Sequence, residues 1–287
     1  MFGNTGYVCV VRNYVSNVYA IFIKNLKMKV KSFLKPFIGF SFFTSLFFTK
    51  VNANLNLHNT YFERCLKNYN QEKYELALKD CNKAIKAHSK WGNTFNNRGL
   101  VHLELGNFES AISDFKTAMK LSNAMFSAKN FGNIAYAYES LGNYQGAIEN
   151  YSKAIEIRPN LGYVFHGRGW VNMEIGNFEE ALDDYENAIK FFSKGELRDM
   201  DAVFWNNFGW IKENLKDYKG ALNEYNIGIK KDPTDSLLYA NRANVKFELG
   251  DEEGACSDYK KSSKLGDEGN TEWLNSKEGK WCRTMKI

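Results

Sequence analysis

The side chains that most often bind metals or act as nucleophiles are few in this chain and are scattered along it. The sequence contains five cysteines and four histidines, at His58, His88, His102 and His166. None of them belongs to a zinc-protease, nucleophile-elbow, C-x-x-C or phosphate-loop motif. Adjacent acids such as Asp183-Asp184 are expected on solvated helix faces. The sequence therefore predicts no catalytic residue, no metal site and no cofactor.

The positive charge of the chain is confined to its N-terminal segment. Residues 1–53 contain six lysines, one arginine and no acidic residue, which gives this segment a charge of +7. Because the formal net charge of the whole chain is +5, residues 54–287 carry −2. A slightly acidic folded region gives no argument for nucleic-acid binding. We therefore expect no nucleic acid among the partners.

The N-terminal segment has the layout of a secretory signal peptide that begins at Met28. Three lysines precede an apolar run, Phe37 to Phe48, and the small residues up to Ala53 follow it. The sequence predicts that residues 28–53 are a signal peptide cleaved after Ala53. The alternative is an uncleaved N-terminal anchor, although a bilayer span needs about 20 apolar residues. Residues 1–27 match neither a signal nor a domain, and translation is expected to start at Met28.

One sequence motif recurs along the rest of the chain. Residues 105–119 read LGNFESAISDFKTAM and residues 141–155 read LGNYQGAIENYSKAI. The shared alanine recurs at intervals of 34, 36, 34, 40 and 34 residues, at Ala77, Ala111, Ala147, Ala181, Ala221 and Ala255. A period near 34, with apolar residues three and four apart inside each copy, predicts an array of helical hairpins.

Residues 92–125 show how one copy should fold. Phe95 and Gly99 share a face of a first helix, and Gly106 can end that helix because glycine readily adopts a left-handed conformation. Ala111 and Phe115 form the matching face of a second helix. A single hairpin cannot bury both of its faces, so several copies are expected to stack.

This spacing of aromatic, small, glycine, alanine and proline residues resembles the tetratricopeptide repeat family. Pro159 and Pro233 both fall twelve residues after the recurring alanine, where the family places a proline. The resemblance implies an all-α fold, a right-handed α-α superhelical solenoid of about six helical hairpins within residues 54–269. The six repeats are expected at 58–91, 92–125, 128–161, 162–195, 202–235 and 236–269. The first and fifth depart from the pattern, with Glu72 and Lys216 in place of the turn glycine.

Residues 270–287 leave the repeat pattern and are expected to cap the last repeat. Thr271 to Lys280 can form a helix that covers the open face with Trp273 and Leu274. The ending EWLNSKEGKWCRTM resembles the tails of exported tetratricopeptide proteins of cyanobacteria. That resemblance implies a periplasmic or thylakoid-lumen protein, or a membrane-tethered one if the leader is retained.

Four cysteines of the repeat region could form two disulfides in an oxidising compartment. Cys65 and Cys81 fall on facing sides of the two helices of the first repeat. Cys256 lies in the last repeat helix, over which the tail with Cys282 should fold. The alternative is four reduced and buried thiols.

The family resemblance implies that the first helices line a concave groove in which a protein partner binds. The inward places hold asparagine amides, which can donate to and accept from a peptide backbone, and aromatic rings, which often anchor partners. The expected contacts are Asn97, Asn133, Tyr136, Trp170, Asn206, Asn207, Trp210 and Asn241. The alternative is that the rings only pack between neighbouring first helices.

The sequence therefore predicts a non-catalytic scaffold that binds a partner peptide or helix and, by analogy, assists in assembly of a membrane complex. Contact with a membrane is expected only through an uncleaved leader. An alternative is an envelope carbohydrate-binding protein whose rings stack on sugars. A hidden enzyme is disfavoured because the acids at the inward places, Glu63, Glu139 and Glu213, lie at least one repeat apart.

Overall fold

The computed structural model describes residues 41–121 and 127–285. Within these ranges the chain forms fifteen helices and no strand, which confirms the expected all-α fold. Residues 1–27 and residues 28–40 of the predicted signal peptide lie outside the described residues, as do the last two residues of the predicted cap.

The chain divides into two compact units, Met1–Ala137 and Tyr138–Ile287. The first unit contains α1 (Ser41–Asn70), α2 (Tyr74–Ala87), α3 (Gly92–Glu104), α4 (Phe108–Leu121) and most of α5 (Ser127–Ser140). The second contains α6 (Tyr144–Ile157), α7 (Gly162–Glu174), α8 (Phe178–Phe191), α9 (Lys194–Asp199), α10 (Ala202–Asn214), α11 (Tyr218–Lys231), α12 (Ser236–Glu248), α13 (Glu252–Lys264), α14 (Glu268–Asn275) and α15 (Lys280–Thr284).

Helix α1 runs for 30 residues, through the predicted cleavage point. The side chains of residues 51–54 around that point are exposed. Among the described helices none combines the length and the apolarity that a membrane crossing requires. Cleavage after Ala53 stays a prediction about processing of the chain.

In the hairpins α3–α4, α7–α8 and α10–α11, the two helices touch where a glycine of the first helix meets an aromatic ring of the second. A Cβ atom added to Gly209 would lie 2.6 Å from the Tyr225 ring, and one added to Gly99 would lie 2.8 Å from the Phe115 ring. Both rings are fully buried. Real Cβ atoms do not approach a ring so closely, so only glycine allows these helices their observed separation.

Two turns between helices adopt the left-handed backbone conformation without the glycine that the other repeats have there. Glu72 and Lys216 have φ angles of 58° and 62°, close to the 71° to 81° of Gly142 and Gly176 at the equivalent places. A side chain in this left-handed region costs roughly 1–2 kcal/mol. The hairpin packing on either side holds both residues in it.

The 40-residue interval between two repeats is filled by α9. Its N-terminus carries a capping box, in which the Ser193 hydroxyl accepts from the backbone of Glu196 and the Glu196 carboxylate accepts from the backbone of Ser193. The extra residues therefore form a capped helical turn between the hairpins α7–α8 and α10–α11.

Buried arginine–aspartate pairs join the two helices of several hairpins, and a further bond from each arginine reaches the hairpin before it. The Arg242 guanidinium donates two bonds of 2.7 Å to Asp258 and a third of 2.7 Å to Asn226 on α11. The bidentate geometry suits a planar guanidinium and a carboxylate. The equivalent sets are Arg98 with Asp114 and Asn82, and Arg168 with Asp184 and Ser152.

The tail packs on the last repeat through α14 and α15 rather than through one continuous helix over 271–280. The chain turns at Ser276, whose hydroxyl donates to the carbonyl of Trp273 and accepts from the backbone of Gly279. Trp273 packs on Tyr259 of α13, with ring centroids 4.7 Å apart.

The four cysteines of the repeat region and tail are paired as disulfides. Cys65 joins Cys81 inside the α1–α2 hairpin, and Cys256 joins Cys282 between α13 and α15, each pair with a Cα–Cα distance of 5.2 Å. All four side chains are fully buried. Cys65 and Cys81 occupy the places that glycine and the aromatic ring hold in other hairpins.

Gly209→Ala is expected to destabilise the protein by about 1–3 kcal/mol, because the added methyl group overlaps the buried Tyr225 ring. This cost exceeds the gain of about 1 kcal/mol in helix propensity. Gly195→Ala is the matched control, because a Cβ atom there would meet nothing closer than 3.8 Å. Urea unfolding monitored by circular dichroism measures both variants. A Gly209→Ala protein as stable as the control would contradict the packing.

Candidate partner-binding surface

The predicted contact residues lie on first helices of both units. Asn97 on α3 and Asn133 on α5 are half-buried, and Tyr136 on α5 leaves 44% of its surface exposed. In the second unit, Trp170 lies on α7 and Asn241 lies on α12. The helix α10 carries Asn206, Asn207 and Trp210.

The two tryptophans of the second unit differ in how they pack. Trp170 packs against the core cluster around Tyr185 and Phe204 and meets the edge of Tyr144, with ring centroids 6.3 Å apart. Trp210 rests on Phe178 in an edge-to-face contact at 5.3 Å and leaves 38% of its surface exposed. Trp170 thus packs against the core, whereas the Trp210 ring is partly exposed and is held in place by its contact with Phe178.

The asparagine amides are partly engaged with each other. The Asn241 amide donates to the Asn206 side-chain oxygen over 2.9 Å, from α12 to α10. Asn206 is 9% exposed. This pair joins two first helices, so Asn206 has less capacity for a partner than the sequence pattern indicates. Asn207 is half-buried.

Carboxylates at the C-terminal ends of the first helices lie in pairs, and only one member of each pair was identified from the sequence. Glu213 at the end of α10 accepts a hydrogen bond of 2.7 Å from the Tyr225 hydroxyl. Burial raises the pKa of Glu213, and the negative charge of Glu248 on α12 raises it further. The sequence interpretation named Glu139 and Glu213 among the inward acids and judged them to be at least one repeat apart. It left out the next position of the following repeat, where Glu248 lies close to Glu213.

A second pair of the same kind lies on α5 and α7. The Tyr151 hydroxyl donates to Glu139 over 2.7 Å. Burial raises the pKa of Glu139 to about 7, with Glu174 adding to the effect and the Tyr151 bond opposing it. Glu139 and Glu174 are 35 residues apart, as are Glu213 and Glu248. The same pair of carboxylates therefore occurs in two places along the second unit.

Trp210 and Glu213 face an open cleft of about 480 Å³ between α10 and α12. Its other walls include Asn244, Phe247, Glu248 and Tyr259. Phe247 is 46% exposed and lies against Trp281 of the tail, with ring centroids 5.9 Å apart. The Tyr259 hydroxyl donates to the Asn244 side chain over 2.8 Å. The cleft therefore combines exposed aromatic rings with two carboxylates.

The cleft is lined by aromatic, amide, carboxylate and lysine side chains. No histidine or cysteine lines it. His166, the histidine of the neighbouring hairpin, is enclosed by Tyr185 and Phe204, and burial lowers its pKa to about 4. In the described ranges, no three His, Cys, Asp or Glu side chains are grouped as metal ligands. This arrangement can recognise a ligand by ring contact and charge.

Comparison with known proteins places the repeats in a family. The family description "Tetratricopeptide repeat" matches residues 93–125 and 128–161. The human tetratricopeptide repeat protein 6 is 30% identical over 178 residues, which are 61% of this chain and 32% of that protein. The chain spans about a third of the length of this relative. Residues 93–125 and 128–161 are therefore tetratricopeptide repeats.

Solved structures show the same fold. A pilF protein of Pseudomonas aeruginosa aligns with a TM-score of 0.63 and 14% identity, over 78% of this chain and 99% of that one. YrrB, described as a tetratricopeptide protein with an unusual peptide-binding site, aligns with a TM-score of 0.59 and 18% identity, over 68% of this chain and 97% of YrrB. Identities this low establish the helical-repeat fold alone.

The Glu139 carboxyl is expected to be half-protonated near pH 7, and Tyr151→Phe should raise its pKa because the opposing hydrogen bond is lost. Its folded pKa exceeds the ordinary value, so its contribution to stability is full below about pH 4.5 and is lost as pH rises through 7. Carbon-13 NMR titration of the glutamate carboxyls measures the pKa. Glu174→Gln is the control of opposite sign, and a Glu139 that titrates near pH 4.5 would contradict the site.

Proposed function

We propose that the chain is a non-catalytic scaffold whose second unit binds an extended segment of a partner protein across α10 and α12. Tetratricopeptide repeat proteins are generally protein-interaction scaffolds. The observation that carries the proposal is the open ring of Trp210 at the wall of a cleft. A large aromatic side chain exposed in a preformed concavity is the usual anchor of a protein interface.

The neighbouring contacts support a site that is ready before the partner arrives. Phe178 holds the edge of Trp210, and Trp281 holds Phe247. Rings fixed in this way lose little conformational freedom on binding, which favours affinity. The amides of Asn207 and Asn241 lie on the same two helices and can bond a peptide backbone.

Export to an oxidising compartment is a further part of the proposal. The lysine-rich start and apolar run of residues 28–53 support it, and so do the two buried disulfides, which persist in such compartments. A role in assembly of a membrane complex in the periplasm or thylakoid lumen is proposed by analogy with the tail resemblance.

Trp210→Ala is expected to abolish capture of the partner while leaving the helical content unchanged, because the ring is more than a third exposed. The matched control is Ile157→Ala, which removes an apolar side chain of similar exposure (44%) from a second helix. Cross-linking in the native cell, followed by mass spectrometry of the bound proteins, compares the two variants.

Equal capture by both variants would exclude the Trp210 cleft. A glycan array with the same two proteins distinguishes the second candidate, a carbohydrate-binding protein, which the exposed rings also favour because rings stack on sugars. Glycan binding that is lost in Trp210→Ala, without a captured protein, would replace the scaffold proposal.

The protein isolated from its native cell without reductant is expected to begin at Asn54. Its mass should be lower by four hydrogens than that of the reduced chain, two for each disulfide. N-terminal sequencing and intact-mass spectrometry measure both quantities. A retained leader together with four free thiols would contradict export, and the fold would be unaffected.

A further inference from the structure

The structure assigns a kind of side chain to the cleft between α10 and α12: we propose that it takes an arginine or lysine of the bound partner segment. This inference rests on the proposed function, because it names the chemistry of the segment that the second unit binds.

The cleft has an aromatic wall suited to a cation. Trp210 and Phe247 are 38% and 46% exposed, and both line the same cavity. The faces of aromatic rings attract cations, and tryptophan does so most strongly. The rings are held by Phe178 and Trp281, so they need not reorganise when the cation enters.

Two carboxylates complete the cavity and lack a cationic partner. Neither Glu213 nor Glu248 forms an ion pair within the part of the chain that the structure describes. The Tyr225 hydroxyl fixes one oxygen of Glu213. The mutual repulsion of Glu213 and Glu248 is unfavourable in the free protein, and a cation between them would relieve it.

The lysines closest in sequence are already committed elsewhere. The Lys212 ammonium lies 2.6 Å from Glu224 and 4.1 Å from the Phe208 ring centroid, and the Lys246 ammonium lies 2.8 Å from Asp258. Lys216 lines the cleft from the turn between α10 and α11. The two glutamates still leave the lining with a net negative charge.

An apolar side chain is a poorer occupant of the same space. It would cover the rings, but it would also remove the carboxylates from water without giving them a partner, which is costly. A guanidinium can stack on a ring and bond a carboxylate at the same time. Charge and shape therefore favour arginine, with lysine as the weaker alternative.

The test uses the full-length chain and two peptides, acetyl-Gly-Ser-Arg-Ser-Gly-amide and the same peptide with glutamine in place of arginine. The indole N–H resonance of Trp210 is followed by nitrogen-15 NMR during each titration. We expect a saturable shift with the arginine peptide and binding weaker by about tenfold or more with the glutamine peptide.

The double variant Glu213→Gln/Glu248→Gln is expected to weaken binding of the arginine peptide by a similar factor while keeping the helical content. Glu252→Gln/Glu253→Gln is the matched control, because it removes the same charge from exposed positions on α13 outside the cleft. Unchanged binding in the first variant, or equal losses in both, would overturn the assignment.

Failure of this inference can be told from failure of the proposed function. Equal shifts of Trp210 with both peptides would remove the cation preference and leave a peptide-binding cleft. No shift with either peptide would overturn the cation site. Partner capture by the chain and by Trp210→Ala would then decide the scaffold role separately.

Discussion

The close contact between a small residue of one helix and the side chain that faces it on the next helix sets the geometry on which the rest of this fold depends. In the α10–α11 hairpin no atom larger than hydrogen fits between Gly209 and the Tyr225 ring. The contact fixes how far apart the two helices lie, and therefore which side chains remain to contact the neighbouring hairpin. In the first hairpin a disulfide between Cys65 and Cys81 takes the same places, so a covalent bond replaces the packed ring. A buried arginine–aspartate pair such as Arg242 with Asp258 joins the two helices of one hairpin, and a further bond from the arginine, here to Asn226, reaches the hairpin before it.

Much of the fold could be predicted from the sequence because its determinants are local and recur. The recurring alanine, the turn glycines and the 34-residue period each reflect a rule that acts within one hairpin. The arginine–aspartate pairs were not predicted, although the two residues are 16 apart in each pair. A charged residue that recurs once per repeat is equally typical of a solvent-exposed helix face. The split of the tail into α14 and α15 depends on bonds of the Ser276 hydroxyl, and no periodic pattern signals such bonds.

The candidate site could be predicted only in part, because a repeat-by-repeat reading does not show how neighbouring repeats share a surface. Trp170 and Trp210 occupy the same place in their repeats, yet Trp170 is half-buried against the core around Tyr185 and Trp210 stays open. The difference comes from their neighbours. Likewise Glu213 and Glu248 belong to different repeats and meet only when α10 and α12 lie side by side.

The same repeat position thus packs against the core in one hairpin and remains open in the next. The Asn206–Asn241 bond joins α10 and α12, and Trp210 and Phe247 lie open on the same two helices beside two carboxylates. A surface assembled in this way is preformed, so binding need not pay for ordering of the protein side. The identity of the partner then depends on which segment can satisfy rings and negative charge together.

Hydrogen–deuterium exchange of the full-length chain, alone and with its captured partner, tests the central claim most directly. The account predicts slower exchange of backbone amides in α10 and α12 when the partner is bound, with little change in the second helices α8 and α11. Protection confined to α8 and α11, with α10 and α12 unchanged, would contradict it.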